Sequence, residues 1–219
     1  MHLFGIKKDD EQFVKTMKKI RLNKEFYKYE QIAKLENTDI GMMIPKHTIL
    51  VDIDSREQSN LLVSILKIEK IYINVLHIET KRGAHFYFAS KNNEIKQVVD
   101  TPSAIGINVD TRVPGKGYGI LPNTKNGRII KNFPKQLADI PVWLVPNKGL
   151  KYFFEQNRPP FTEGSRDNNL FWYINELVEN TELERKDALQ TVALFNEWQI
   201  KPSLPQNVIL EKLDRVSFK

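Results

Sequence analysis

Residues 48–54 read Thr48-Ile49-Leu50-Val51-Asp52-Ile53-Asp54. The run is apolar and β-branched, which predicts a strand, and it ends in two carboxylates spaced two apart. Side chains at i and i+2 of a strand share a face. Asp52 and Asp54 therefore project together, while Val51 and Ile53 turn to the core on the other side. Two carboxylates this close repel by very roughly 4 kcal/mol at 4 Å and an effective dielectric near 20. Either one binds a proton or a cation sits between them. Hard divalent cations prefer oxygen ligands, and an Asp-x-Asp pair ending a buried strand suits a two-metal site. The plainer alternative is a helix N-cap at Asp54-Ser55, with the other acid solvated.

Two further strand-like runs carry chemistry. In Gly83-Ala-His85-Phe-Tyr-Phe88, His85 and Tyr87 share one face and Phe86 and Phe88 the other. Lys81 and Arg82 precede the glycine, which permits close backbone approach. An imidazole beside cations favours a phosphate-binding role over a general-base role, with a satisfied histidine at a sheet edge as the alternative. In Gly106-Ile-Asn-Val-Asp110-Thr-Arg112, Asp110 shares a face with Asn108 and Arg112, while Ile107 and Val109 turn inward. Asp110 either completes a metal site begun by Asp52 and Asp54 or forms a plain ion pair with Arg112, worth under about 1 kcal/mol. The glycine-rich Gly115-Lys-Gly-Tyr-Gly119 lacks the Gly-Lys-Ser/Thr ending of a P-loop and reads as a flexible turn before a strand.

Around these runs, strand and helix patterns alternate. One or two basic helices are expected over 9–36, a helix over Gln58–Ile68, and strands over Ile71–Glu79 and His85–Ala89. A helical stretch is expected over Lys91–Val99, a strand over Gly106–Arg112, and a final hairpin through Ile120–Pro122 and Arg128–Lys131. The pattern predicts an α+β fold, a mixed sheet with helices. Beyond Pro146 the character changes, and three helices are expected. Asp167–Asn180 turns Leu170, Phe171, Ile174, Leu177 and Val178 inward. Leu183–Gln199 carries Leu189, Val192, Ala193 and Asn196 on one stripe, and a last helix follows Pro205. The expected domains are 1–150 and a small all-α bundle over 151–219.

The 219 residues carry a net charge of +6. Residues 1–150 hold 24 of the 33 bases and 16 of the 27 acids, a local excess of +8, against −2 in 151–219. That asymmetry points weakly to nucleic acid. With no cysteine in the chain, disulfides, thiolate zinc sites and cysteine nucleophiles are excluded. No apolar run reaches the roughly 20 residues that cross a membrane, so no membrane partner and a cytoplasmic location are expected.

Taken in order, the Asp52-x-Asp54 strand, Glu79-Thr-Lys-Arg-Gly-Ala-His85-Phe-Tyr-Phe88, and Asp110-x-Arg112 followed by Gly-Tyr-Gly-Ile-Leu-Pro resemble the archaeo-eukaryotic primase superfamily. The likeness is closest to the primase–polymerase branch of phages, plasmids and mobile elements, and it spans about residues 45–135. It implies a primase–polymerase core, an RRM-like unit with an N-terminal α/β unit. It also implies that Asp52, Asp54 and Asp110 are catalytic and bind Mg²⁺ or Mn²⁺, and that His85 contacts the phosphates of an incoming NTP or dNTP. Lys81, Arg82, Arg112 and Lys116 complete the expected nucleotide-binding set. The family's second motif commonly reads Ser-x-His, whereas this chain has Gly83-Ala-His85. Glu163-Gly-Ser-Arg-Asp-Asn-Asn169 and the helices after it are similar to the helical domain that follows such cores and assists initiation or joins a helicase. No Walker motif is present, so a helicase partner would be a separate chain or a missing region.

The function expected is therefore primer synthesis on a single-stranded DNA template by metal-dependent nucleotidyl transfer, in replication of a phage or mobile element. Two alternatives stand beside it. One is a non-catalytic single-stranded nucleic-acid-binding replication factor, for which 22 aromatics and the basic excess supply stacking and phosphate contacts. The other is a metal nuclease, which would use similar acids without a triphosphate.

Overall fold

The computed structural model describes residues 3–7, 38–90, 95–122 and 126–218, and the helices expected over 9–36 lie outside them. Nine strands are described: β1 (Leu3–Lys7), β2 (Thr38–Met43), β3 (Thr48–Ile53), β4 (Leu76–Glu79), β5 (Ala84–Ala89), β6 (Thr101–Pro102), β7 (Asn108–Arg112), β8 (Tyr118–Ile120) and β9 (Ile129–Asn132). Five helices join them: α1 (Arg56–Ile68), α2 (Gly149–Gln156), α3 (Arg166–Asn180), α4 (Arg185–Gln199) and α5 (Gln206–Asp214). The chain divides into two compact units, one of residues 1–97 and 110–139, the other of 98–109 and 140–219. Residues 98–109 and 140–150 thus group with the C-terminal helices, inside the stretch expected to form the first domain.

In the first unit, the mixed sheet expected from the sequence is replaced by two antiparallel ones. One runs β1-β2-β8, the other β7-β3-β5-β4-β9. The expected hairpin from Ile120 to Lys131 does not form. β8 pairs with β2 and β9 with β4, so the two strands belong to different sheets. The second sheet centres on β3, whose apolar run makes it a buried strand with neighbours on both sides. Its Leu50 face, with Tyr87 and Ile78, packs with Ile40, Met42 and Ile44 from β2 and the loop after it. Phe86, on the other face, stacks on His77; the Tyr72 hydroxyl meets His77 Nδ1 at 2.9 Å, and Lys67 of α1 lies over the Tyr72 ring. That side is where α1 buries Leu62, Ile65 and Leu66.

Helix α1 starts at Arg56, two residues before the expected Gln58, and ends at Ile68 as expected. Ser55 is extended and its Oγ accepts the Gln58 N–H at 3.3 Å, so Ser55 is the cap and Asp54 stays outside the helix. Ile71–Glu79 forms a short 3₁₀ turn over Tyr72–Asn74 before β4, rather than one strand. The helix expected over Lys91–Val99 is absent from its described part, Ile95–Val99, which is irregular. Thr111, buried on β7, donates from its hydroxyl to the Lys96 carbonyl at 2.8 Å, a side-chain bond that replaces a helical one.

In the second unit, four helices enclose one apolar core that also takes in Ala104. The inward set on α3 differs from expectation by one residue: Tyr173 is fully buried, while Phe171 is only half-buried. Tyr173 stacks on Phe195 at 3.6 Å between ring centroids, and its hydroxyl donates to the Ala104 carbonyl at 2.7 Å. On α4 the buried stripe runs through Ala188, Val192 and Phe195; Leu189 is half-buried and Ala193 exposed. An aromatic that can both stack and donate outcompeted the aliphatic positions for the centre of this core.

Candidate functional site

Strand register assembles the candidate site. Asp52 lies directly across from Asp110 on β7 and directly across from His85 on β5. Opposed residues of an antiparallel pair share a face, so Asp110, Asp52 and His85 form one row over three adjacent strands. Arg112, Leu50 and Tyr87 form the next row, and Asp54 stands one step beyond Asp52 on the same face. All three acids and the histidine singled out in the sequence therefore share one face of one sheet.

The environments of the acids differ. Asp52 is the most enclosed by charge: burial, Asp54 and Asp110 push its pKa from 3.8 to about 6, against the opposing pull of Arg112 and Arg128. Asp110 pairs with Arg112 at 2.9 Å, both mostly covered. Asp54 is exposed and pairs with Arg82 at 2.9 Å. His85 is buried, and burial, reinforced by Arg128 and Arg112, lowers its pKa from 6.5 to about 4. It is neutral at physiological pH. Its Nε2, 3.4 Å from the Asp52 carboxylate, makes a long polar contact rather than an ion pair.

Three buried polar atoms on this face have no hydrogen-bond partner among the described residues: His85 Nδ1, the Tyr87 hydroxyl and Arg128 Nε. The Tyr87 oxygen lies against Gly119 of β8, where a Cβ would come within 2.1 Å of it. Burial and the Asp52 charge raise the Tyr87 pKa well above that of a free tyrosine. Arg128 is the residue that sequence reading missed. It immediately precedes β9, two residues before Ile130, which lies opposite Ile78, itself opposite His85. The alternation of Arg128 with Ile130 was the available signal, but it identifies a face only once β9 is known to pair with β4. No family model matches this chain, and no curated protein does.

The basic residues named from the sequence are dispersed. Arg112 lies beside the acids. Lys81 and Arg82 are exposed in the β4–β5 turn, where Gly83 N–H bonds the Thr80 hydroxyl at 3.1 Å and Arg82 is occupied by Asp54. Lys116 lies at the other end of β3, in a cavity with Thr48 and Ile49. The glycine at position 83 has a steric reason. A Cβ there would sit 1.7 Å from the Ile53 carbonyl oxygen, so this backbone admits no side chain at that position.

Among the described residues, no three acids and histidines already converge as a metal-ligand set. The donors fit a hard divalent cation in kind, being carboxylates on one face with Asp52 compressed between two others. Asp54 and Asp110 are turned to Arg82 and Arg112. The exposed Asp54–Arg82 pair is worth under about 1 kcal/mol, so a cation can displace it at small cost.

Proposed function

We propose that the chain is a metal-dependent nucleotidyltransferase of primase–polymerase type, synthesising primers on single-stranded DNA from NTPs or dNTPs. The row Asp110–Asp52–His85, with Asp54 on the same face, carries the reading, because three carboxylates and a histidine are gathered beside arginines. In this reading the fold is a primase–polymerase core followed by a helical domain, with a helicase on another chain as its partner in replication of a phage or mobile element.

Asp52, Asp54 and Asp110 would hold Mg²⁺ or Mn²⁺. The bound cation would supply charge neutralisation for the triphosphate and acidify the attacking hydroxyl. The chain's own residues set the conditions. Arg112 and Arg128 bring positive charge to the place where phosphate oxygens gain charge in transfer. Neutral His85 keeps its Nε2 toward Asp52, fixing that carboxylate's orientation without adding positive charge. With a pKa near 6, Asp52 is ionised and able to accept a cation at neutral pH, and it loses that capacity as pH falls through 6.

The test is incubation with single-stranded templates, Mg²⁺ or Mn²⁺, and labelled NTPs or dNTPs in turn, with product length read on a gel. Divalent-dependent products that vanish in the folded Asp52→Ala/Asp54→Ala variant are expected. A second reading, a non-catalytic strand-binding factor, draws on the Asp54–Arg82 and Asp110–Arg112 pairs, which neutralise two of the acids without a cation. It requires strand binding with no incorporation under either metal.

A further inference from the structure

Of the residues that follow Arg185 on α4, only Lys186, Gln190, Ala193 and Glu197 are exposed. They recur at spacings of four, three and four, so they form one stripe, about 16 Å long at the rise of an α-helix. The stripe is one wall of a cavity of about 550 Å³ in the helical unit, and Leu204 and Ile209 belong to the other. That second wall is held in place by Asn196. Its buried side chain donates to the Leu204 carbonyl at 3.0 Å and accepts the Leu204 N–H at 2.9 Å. Half-buried Leu189 and Leu204, with exposed Ala193, supply apolar lining.

The charges at the two ends of the stripe do nothing for α4 itself. Lys186 stands in its first turn and Glu197 in its last. Both run against the helix dipole, which favours anions at the N-terminus and cations at the C-terminus. Arg185 is taken up by Asp214. Among the described residues, neither the Lys186 ammonium nor the Glu197 carboxylate has an ion-pair partner. Lys201 Nζ donates to the main-chain carbonyl of Glu197 at 3.0 Å, not to its carboxylate.

We propose that this stripe is a self-association surface, on which a second copy of the chain docks its own α4 antiparallel, about a two-fold axis between Gln190 and Ala193. In that register the stripe is its own complement. Lys186 meets Glu197 of the second copy, Gln190 meets Ala193 of the second copy, and symmetry repeats both pairs. Each end charge then reaches the helix terminus of opposite sign on the other copy, which the dipole favours. Ala193 lets the two backbones approach, and the longer Gln190 fills the space opposite it. A polyanion or an anionic membrane would satisfy Lys186 and be repelled by Glu197, so neither complements both ends. Two short stripes cover less than a standard interface of about 1,600 Å², so the dimer is a weak one, dissociating in the range of about 1–100 μM. The inference concerns the helical unit and does not rest on nucleotidyl transfer.

Sedimentation velocity of the full chain, over roughly 1–300 μM protein, tests this. Wild type should pass from the 25.6 kDa monomer to twice that mass as concentration rises. Lys186→Glu and Glu197→Lys each set like charges against each other at both ends, and each alone should weaken the dimer about fivefold or more. An equimolar mixture of those two variants faces opposite charges again at both ends, and should associate to within about twofold of wild type. Ala193→Arg, which blocks the close approach, should stay monomeric throughout. All the substituted residues are exposed, and circular dichroism with thermal melting establishes that the variants are folded. Wild type that stays monomeric over the whole range would overturn the proposal. So would a dimer that persists unchanged in every variant, since the contact would then lie elsewhere. Single reversals that weaken the dimer without recovery in the mixture would overturn the antiparallel register. Primer synthesis is not read in this experiment, so its outcome is independent of the nucleotidyl-transfer assay.

Discussion

In the helical unit, buried polar groups close on partners: the Tyr173 hydroxyl on the Ala104 carbonyl, Asn196 on the Leu204 backbone in both directions, Gln199 on the Ile105 carbonyl. Trp198 Nε1 is the exception. In the β-rich unit, His85 Nδ1, the Tyr87 hydroxyl and Arg128 Nε have no partners among the described residues, on the face that also carries Asp52, Asp54 and Asp110. A buried polar atom left unpaired costs about 1–3 kcal/mol. One unit minimises that cost, while the other tolerates it together with carboxylate repulsion. Such tolerance is what the proposed ligand-binding role of that face would require.

The comparison breaks first if stability does not reside where packing is closed. Tyr173→Ala removes a fully buried stacked ring and should cost about 3–5 kcal/mol in chemical denaturation. Gly83→Ser drives a Cβ into the Ile53 carbonyl and should cost about 3 kcal/mol in the same measurement.

Asp52→Asn should do the reverse. Its folded pKa near 6 lies above the ordinary 3.8, so the folded chain keeps a proton that the unfolded chain has released. Stability is therefore lost as pH rises from about 4 to 6, by an amount on the order of 3 kcal/mol that the amide would recover at pH 7. His85 has the opposite sign. Its folded pKa near 4 lies below 6.5, so stability is lost as pH falls from about 6.5 to 4. The two dependences oppose each other in the wild type. Denaturation midpoints of Asp52→Asn should rise with pH across that window, with His77, also lowered to about 4, adding in the same direction.

Smaller effects separate the arginines. Arg128→Ala should raise the KM for the triphosphate at least tenfold with little change in stability. Arg82→Ala, which removes an exposed pair, should change stability by under about 1 kcal/mol and KM by less than threefold. Equal effects would remove the distinction between the enclosed and exposed cations.

Much of this site was legible before the fold. Period-2 alternation put Asp52, Asp54, His85 and Asp110 on faces opposite their apolar neighbours, and antiparallel pairing of β3 with β5 and β7 made those faces one. Non-local pairing was the illegible part. Ile120 and Ile129 look like arms of a hairpin because a turn separates them, but each strand finds its partner in a different sheet. Arg128 was hidden for that reason, and sequence position alone does not show that Lys116 lies at the end of β3 away from the acids. On α3 and α4, helical spacing tolerated several neighbouring stripes, and the Tyr173–Phe195 stack selected one of them.

The central claim is that the acid-bearing face of the β-rich unit is catalytic. Its most direct test is divalent-dependent primer synthesis on a single-stranded template, measured side by side for wild type and Asp52→Ala/Asp54→Ala. The account predicts products from wild type with Mg²⁺ or Mn²⁺, none with chelator, and at least a thousandfold loss in a variant that melts no lower than wild type. Near-wild-type synthesis by the double variant, or no synthesis by wild type with either metal, would contradict it.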